Sequence, residues 1–217
     1  MSFKKINKVI KILIYSDVLF VGGFGFIAPI FAIFLTENIK GGSVETVGFA
    51  AAILWIIQSL VIIPFGRFLD HHEKDLDDFY FVVGGNFLSA IVAFSYILVK
   101  TPIQIYFLQA VYAVGSAMNM AGYTALFTRY INKGKEAFSW SVRGALVGIG
   151  SGLAGALGGI IYKNFGSKVL FSGVGFLVLL SSIIMFFVFK EIIFTDGKKI
   201  KSILPKTKSD GPLTPGL

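Results

Sequence analysis

Six stretches of this chain stay apolar for roughly 20 residues each, the length that crosses a hydrocarbon core about 30 Å thick. They fall at about 9–35, 46–66, 79–99, 103–127, 138–162 and 168–190. A water-soluble chain would interrupt such runs after roughly 4–12 residues. A backbone in lipid must satisfy its own hydrogen bonds, so runs of this length become helices. The composition agrees, at 55% hydrophobic and 15% charged with mean hydropathy +0.77. The expected fold is an all-α integral membrane protein with six transmembrane helices. Residues 1–194 form one transmembrane domain, and the Lys-, Pro- and Gly-rich segment 195–217 reads as a disordered cytoplasmic tail. The opening "MSFKKINKVIKILIY" resembles a signal peptide. Its apolar run continues to about Phe34 with no small-residue cleavage site, so it reads as a retained first helix.

The net charge of +8 would raise nucleic acid as a partner of a soluble protein. Here the cations sit at helix ends and read as topology signals, so the expected partner is the lipid bilayer and not nucleic acid. Lys4, Lys5, Lys8 and Lys11 precede the first span, and Arg129, Lys133 and Lys135 lie between the fourth and fifth. Lys198, Lys199, Lys201, Lys206 and Lys208 follow the sixth. The other side has Lys40, Lys100, Lys163 and Lys168. Positive charge favours the cytoplasm, which puts both termini there in a plasma (inner) membrane. The chain has no cysteine, which removes thiol and disulfide chemistry. It has no G-x-x-x-x-G-K-[ST] phosphate loop, so energy would come from a gradient, and no cofactor is expected.

One polar island, "FGRFLDHHEKDLDDFY" at 65–80, holds both histidines. Asp70, Glu73 and Asp75 beside His71 and His72 raise a metal reading. Adjacent histidines point different ways on a helix, and no cysteine or distant histidine completes a ligand set, so no metal site is expected. "GIGSG" at 148–152 raises intramembrane serine proteolysis, but no span holds the histidine that would act as base. The chain is not expected to be an enzyme.

The sequence repeats at an offset of 92 residues. "LTENIKGG" (35–42) aligns with "FTRYINKG" (127–134), and the ungapped register from 30/122 to 98/190 gives 13 identities in 69 pairs. This composition gives about five by chance. The offset divides three helices from three (about 9–99 and 103–190), and an odd number inverts the second triplet. Such inverted repeats mark secondary transporters.

With that repeat, three motifs resemble those of the major facilitator superfamily. "GRFLD" (66–70) is similar to its motif A, Gly-x-x-x-Asp between helices 2 and 3. "YFLQAVYAVGSA" (106–117) resembles motif B in helix 4, and "GSGLAGALGG" (150–159) resembles motif C in helix 5. The resemblance spans about 9–190. It implies one half of a twelve-helix transporter fold. The departures are specific: "HHEKD" follows Asp70 in place of basic residues, and Tyr106 and Ala110 replace the arginine and glycine of motif B. Ala154-Gly155 replaces the Gly-Pro of motif C. Proton coupling through the motif B arginine is therefore not implied.

A single half does not enclose a path, and an even helix number lets two copies insert in parallel. The expectation is a half-transporter working as a parallel homodimer, or a heterodimer with another half, moving a small-molecule substrate by alternating access. The alternative is a non-transporting dimeric accessory or regulatory protein. Asp17 is an ionisable group within helix 1, costly in a membrane and so a candidate substrate or ion site. Arg143 lies at similar depth in helix 5, and the resemblance brings these helices together, so an Asp17–Arg143 pair is expected. Other in-span polar groups are Gln58, Asn86, Gln109, Asn119 and Tyr123. Asn119 and Tyr123 share a face of helix 4, which the family places at its cavity along with helix 1. Gln58 lies in mid-helix 2. The gating set implied by motif A is Gly66, Arg67 and Asp70. In the family the aspartate meets the start of a helix in the other half, which here is the Ser139 region of the second copy. Gly144, Gly148 and Gly152, with Ser151, Gly155 and Gly159, read as helix-packing faces. Gly22, Gly23, Gly25 and Pro29 predict a bend or break in helix 1.

Overall fold

The computed structural model describes residues 6–72 and 75–203, with side chains described for 6–71 and 75–191. Lys4, Lys5, Glu73 and the tail residues 204–217 lie outside the described residues. The described elements are α1 (Lys8–Gly25), α2 (Phe31–Asn38), α3 (Val44–His72), α4 (Asp75–Ser95), α5 (Pro102–Tyr130) and α6 (Glu136–Ile203). All are helical. Among the described residues, three stretches are long and apolar enough to cross a membrane: Val44–His71, Asp75–Ser95 and Glu136–Glu191.

Helix boundaries follow local chemistry. Asn7 caps α1 by accepting from the Val9 amide at 3.0 Å. α1 stops at Gly25, and helix resumes at Phe31. Pro29 has no amide proton and crowds the carbonyl four residues back, which belongs to Gly25. α4 starts at Asp75, earlier than the apolar pattern suggests, because Asp75, Asp77 and Asp78 fill its first turn, where the helix dipole favours anions. At the start of α5, Pro102 takes the first position and Gln104 Oε1 accepts from the Thr101 amide at 3.2 Å. α6 breaks at Gly166, whose φ of 80° suits glycine. Trp140 and Leu146 pack in one apolar cluster, Tyr162 and Phe171 in a second, and Met185 and Val188 in the first again. The chain therefore doubles back at Gly166. Its second arm continues to Ile203, so 195–203 of the expected tail is helical.

α1 packs mainly on α6, α4 on α5 and α6, and α3 on α5. One cluster gathers Ile10, Leu13, Phe79, Phe127 and Met185 at the end carrying Arg129, called the basic end below. The other gathers Phe34, Leu35, Ile105, Phe171 and Val178. Between them runs a buried polar chain from four helices. Asn119 Nδ2 donates to Asn86 Oδ1 at 2.6 Å, and Asn86 Nδ2 donates to Ser181 Oγ at 3.1 Å. Ser181 Oγ donates to the Ser16 carbonyl at 2.8 Å, and Ser16 Oγ returns a bond to the Ser181 carbonyl at 3.1 Å. Lipid does not drive helices together by burial, so such bonds, at about 0.6 kcal/mol each, and close packing carry the association.

Close packing needs specific glycines. A Cβ on Gly85 would stand 2.5 Å from the Asn119 amide nitrogen, and one on Gly122 would overlap the Asp78 carbonyl. One on Gly158 would overlap the Phe26 carbonyl where α1 ends. Of the expected packing residues, Gly155 and Gly159 do face α1 and its extension, with Cβ positions 3.6 Å from Pro29 and 3.8 Å from Ile30. Gly148 and Gly152 do not pack within the chain, since a Cβ at either meets nothing within 4 Å. They lie on the α6 face turned away from α1, as does Gly144. Gly66 likewise has open space around it, so no close approach within the chain requires it.

Candidate functional site

Asp17 projects from α1 toward α6. Arg143 Nε donates to its Oδ2 at 2.8 Å, so the two ionisable groups form a pair. The partners differ in access: the Asp17 side chain is 2% exposed and that of Arg143 is 29% exposed. The guanidinium carbon sits 5.1 Å from the Tyr123 ring centroid and 5.7 Å from that of Trp140, and the two rings fix its direction. These groups line a cavity of about 380 Å³ with Phe20, Ser116, Asn119 and Met120. α1, α5 and the first arm of α6 supply its walls.

Several polar atoms at this cavity are already engaged. Asn119 Nδ2 donates to Asn86, and Ser116 Oγ accepts from Gln58 Nε2 at 3.0 Å. The Tyr123 hydroxyl has no hydrogen-bond partner among the described residues. The structure thus brings Asp17, Asn119, Tyr123 and Arg143 to one cavity and sets Gln58 behind it as the partner of Ser116.

A second cavity, of about 320 Å³, lies toward the end away from Arg129. It is lined by Phe24, Phe31, Trp55, Tyr96 and Tyr112, with Gln109 as its lone amide. Gln109 is 4% exposed and its Oε1 has no partner. Phe24 and Tyr112, with ring centroids 4.3 Å apart, bring α1 and α5 together near the centre. Phe20 meets Phe24 edge-on at 5.7 Å, so rings join the two cavities.

A third cavity, of about 580 Å³, opens at the basic end and is lined by Gly66, Asp70, Met120, Thr124 and Arg129. It adjoins the first through Met120 and Thr124. Here the polar island acquires a role that the sequence reading missed. Arg129 pairs with Asp75, and its Nη1 lies 2.8 Å from Asp78 Oδ2, on a side chain that is fully buried. Tyr130 donates to Asp75 Oδ2 at 2.6 Å. The acidic run therefore clamps the start of α4 to the end of α5, and only part of it is a solvated face. Arg67 and Asp70 are exposed. Ser139 is not available as a docking group, being 2% exposed within its own chain. Its turn of helix offers Glu136 and Ala137 to the surface.

The sequence reading also passed over Ser116, Met120, Trp140 and the aromatic cavity. A signal for most of these was present in the repeat. Subtracting 92 from Gln109, or adding 92 to Phe24, points to the other cavity, although these positions lie outside the ungapped register of 30/122 to 98/190.

A family model described as Major Facilitator Superfamily matches residues 15–215. An uncharacterised MFS-type transporter of Methanocaldococcus jannaschii is 24% identical over 177 residues, covering 82% of this chain and 44% of that protein. The chain thus spans less than half the length of this curated relative.

Proposed function

The chain belongs to the Major Facilitator Superfamily, and from that membership we propose that it is a secondary transporter, moving a small solute by alternating access. One observation carries the reading. The second cavity takes Phe24, Ile27, Ala28, Phe31, Gln109 and Tyr112 from its α1–α2 and α5 walls. Shifting each by 92 residues gives Ser116, Asn119, Met120, Tyr123, Asp17 and Phe20, all of which line the first cavity. Five of these six pairs lie outside the register used to find the repeat. Two cavities related by one inverted repeat are what alternating access requires: equivalent cups facing opposite sides of the membrane.

In this reading α1 and α2 form span 1, α3 to α5 form spans 2 to 4, and the two arms of α6 form spans 5 and 6. Positive charge puts the Arg129 end, and with it both termini, at the cytoplasm of a plasma (inner) membrane. Both cups are open-sided, which supports a second six-helix unit closing them. We assign that unit to another copy of this chain, in parallel, with a different half as the alternative partner. Asp70 then faces the exposed start of α6 in the partner near Glu136 and Ala137, and the buried Ser139 takes no part.

Met120 and Ala28 test the proposal, because they are equivalent by the offset and both are exposed. The chain contains no cysteine, so Met120→Cys and Ala28→Cys give clean single labels. A membrane-impermeant thiol reagent should modify Met120→Cys from the cytoplasmic side and Ala28→Cys from the other, with reactivity at one site falling as the other rises. If neither reacts from either side, no water path exists and the accessory-protein reading replaces this one.

A further inference from the structure

The two cups share a plan and differ in chemistry. The position occupied by Asp17 in one holds Gln109 in the other, and the aromatic walls Phe24 and Phe31 correspond to Ser116 and Tyr123. One end of the path is thus ionic, and the other is aromatic with a single amide.

The ionic end is selective in what it leaves unspent. Asp17 is the buried partner, and its Oδ2 is held by Arg143. A cationic ligand would meet a carboxylate already neutralised by Arg143 and would bring its own charge up against that guanidinium. Asn119 Nδ2 donates to Asn86 Oδ1, and Ser116 Oγ accepts from Gln58, which leaves the Ser116 hydroxyl as a neutral donor beside that of Thr124. The charged donor at the cavity is the guanidinium beyond its Nε–H, on a side chain 29% exposed, with the buried Tyr123 hydroxyl next to it. A guanidinium flanked by two rings presents its remaining N–H groups as a fork that fits a carboxylate. From Asp17 to Phe24 is seven residues along α1, a rise of about 10 Å. Within that distance the ion pair and Phe20 of one cavity give way to Phe24 and Tyr112 of the other, with Phe20 and Phe24 packed edge-on between them.

We propose that the transported solute is an amphipathic organic anion, with a carboxylate-type head at Arg143 and Tyr123 and an apolar body against Phe20, Phe24 and Tyr112. The inference rests on the transporter reading and adds the substrate class. A hydrogen-bond donor at the far end of the body would meet Gln109 Oε1.

The test uses the 217-residue chain in lipid nanodiscs and three probes that separate head from body. 4-Phenylbutyrate carries both, 4-phenylbutylamine inverts the charge on the same body, and butyrate is the head alone. Calorimetric titration should give phenylbutyrate an affinity at least ~10-fold above each of the others. Phe24→Ala should weaken phenylbutyrate and leave butyrate unchanged. Arg143→Gln should abolish the preference for the anion. Asp17→Asn/Arg143→Gln, which leaves no orphaned charge, should do the same in a well-folded protein. A preference for the amine, equal binding of the two phenyl probes, or no binding of phenylbutyrate to the unmodified chain each overturns the proposal. So does full retention of the anion preference in the double variant. Thiol labelling of Met120→Cys and Ala28→Cys in the same preparation judges the transporter reading separately. Labelled cups without an anion preference refute the substrate class alone, and unlabelled cups refute transport.

Discussion

Breaking the Asp17–Arg143 pair from one side should cost much more than breaking it from the other. Arg143→Gln leaves a carboxylate whose side chain is 2% exposed, with Arg143 Nε as its donor at 2.8 Å gone. An orphaned buried charge of this kind costs about 3–5 kcal/mol. Asp17→Asn leaves a guanidinium that is 29% exposed and still flanked by Tyr123 and Trp140, free to turn toward the cavity. That loss is closer to one charge-assisted hydrogen bond, about 1.5–3 kcal/mol. The double variant removes both charges and should be more stable than Arg143→Gln alone, with a coupling of at least ~1.5 kcal/mol. For a chain of this size about 2–4 °C of Tm accompanies each kcal/mol, so Arg143→Gln should melt roughly 6–20 °C lower. Thermal unfolding of the four proteins in one mild detergent, followed by tryptophan fluorescence, reads the cycle. Additive losses, or an Asp17→Asn variant as unstable as Arg143→Gln, would refute the argument from unequal burial.

Four further outcomes follow from the packing. Gly122→Ala forces its methyl against the Asp78 carbonyl and should destabilise by about 1–3 kcal/mol. Gly148→Ala meets nothing within 4 Å and should be neutral or stabilise by up to ~1 kcal/mol through helix propensity. The same melting assay separates the two. Arg129→Ala orphans the fully buried Asp78 and should lose about 3–5 kcal/mol. Lys8→Ala, which breaks a pair with Glu191 whose lysine is 71% exposed, should lose at most ~1 kcal/mol, as proteolysis of the purified variants would register.

Apolar run length placed most helix starts within a few residues, but it did not give the helix ends: α3 runs to His72 and α6 to Ile203, past the apolar runs at 66 and 190. Pro29 and the glycines before it marked the break after Gly25, because proline acts on a carbonyl at a known distance. The Asp17–Arg143 pair was legible because charges within spans are rare, so few partners compete. What stayed hidden depends on rotation about helix axes. Nothing in the spacing of Gly148, Gly152, Gly155 and Gly159 says which pair faces α1, and two of the four face open space. Ser139 sits at a helix start as expected, but its side chain points inward while Glu136 and Ala137 of the same turn face out. The Asp75–Asp78–Arg129 cluster joins residues that resemble ordinary topology signals when read one loop at a time.

The break at Gly166 has a mechanical consequence. A single residue joins the two arms of α6, and the first arm grips α1 through Gly155 and Gly158 while the second is held to α1 and α4 through Ser181. Both arms hold α1, so a displacement of either one loads that helix and is felt by the other. In the proposed transport cycle, the change that exposes first one cup and then the other would have to carry α1 together with both arms.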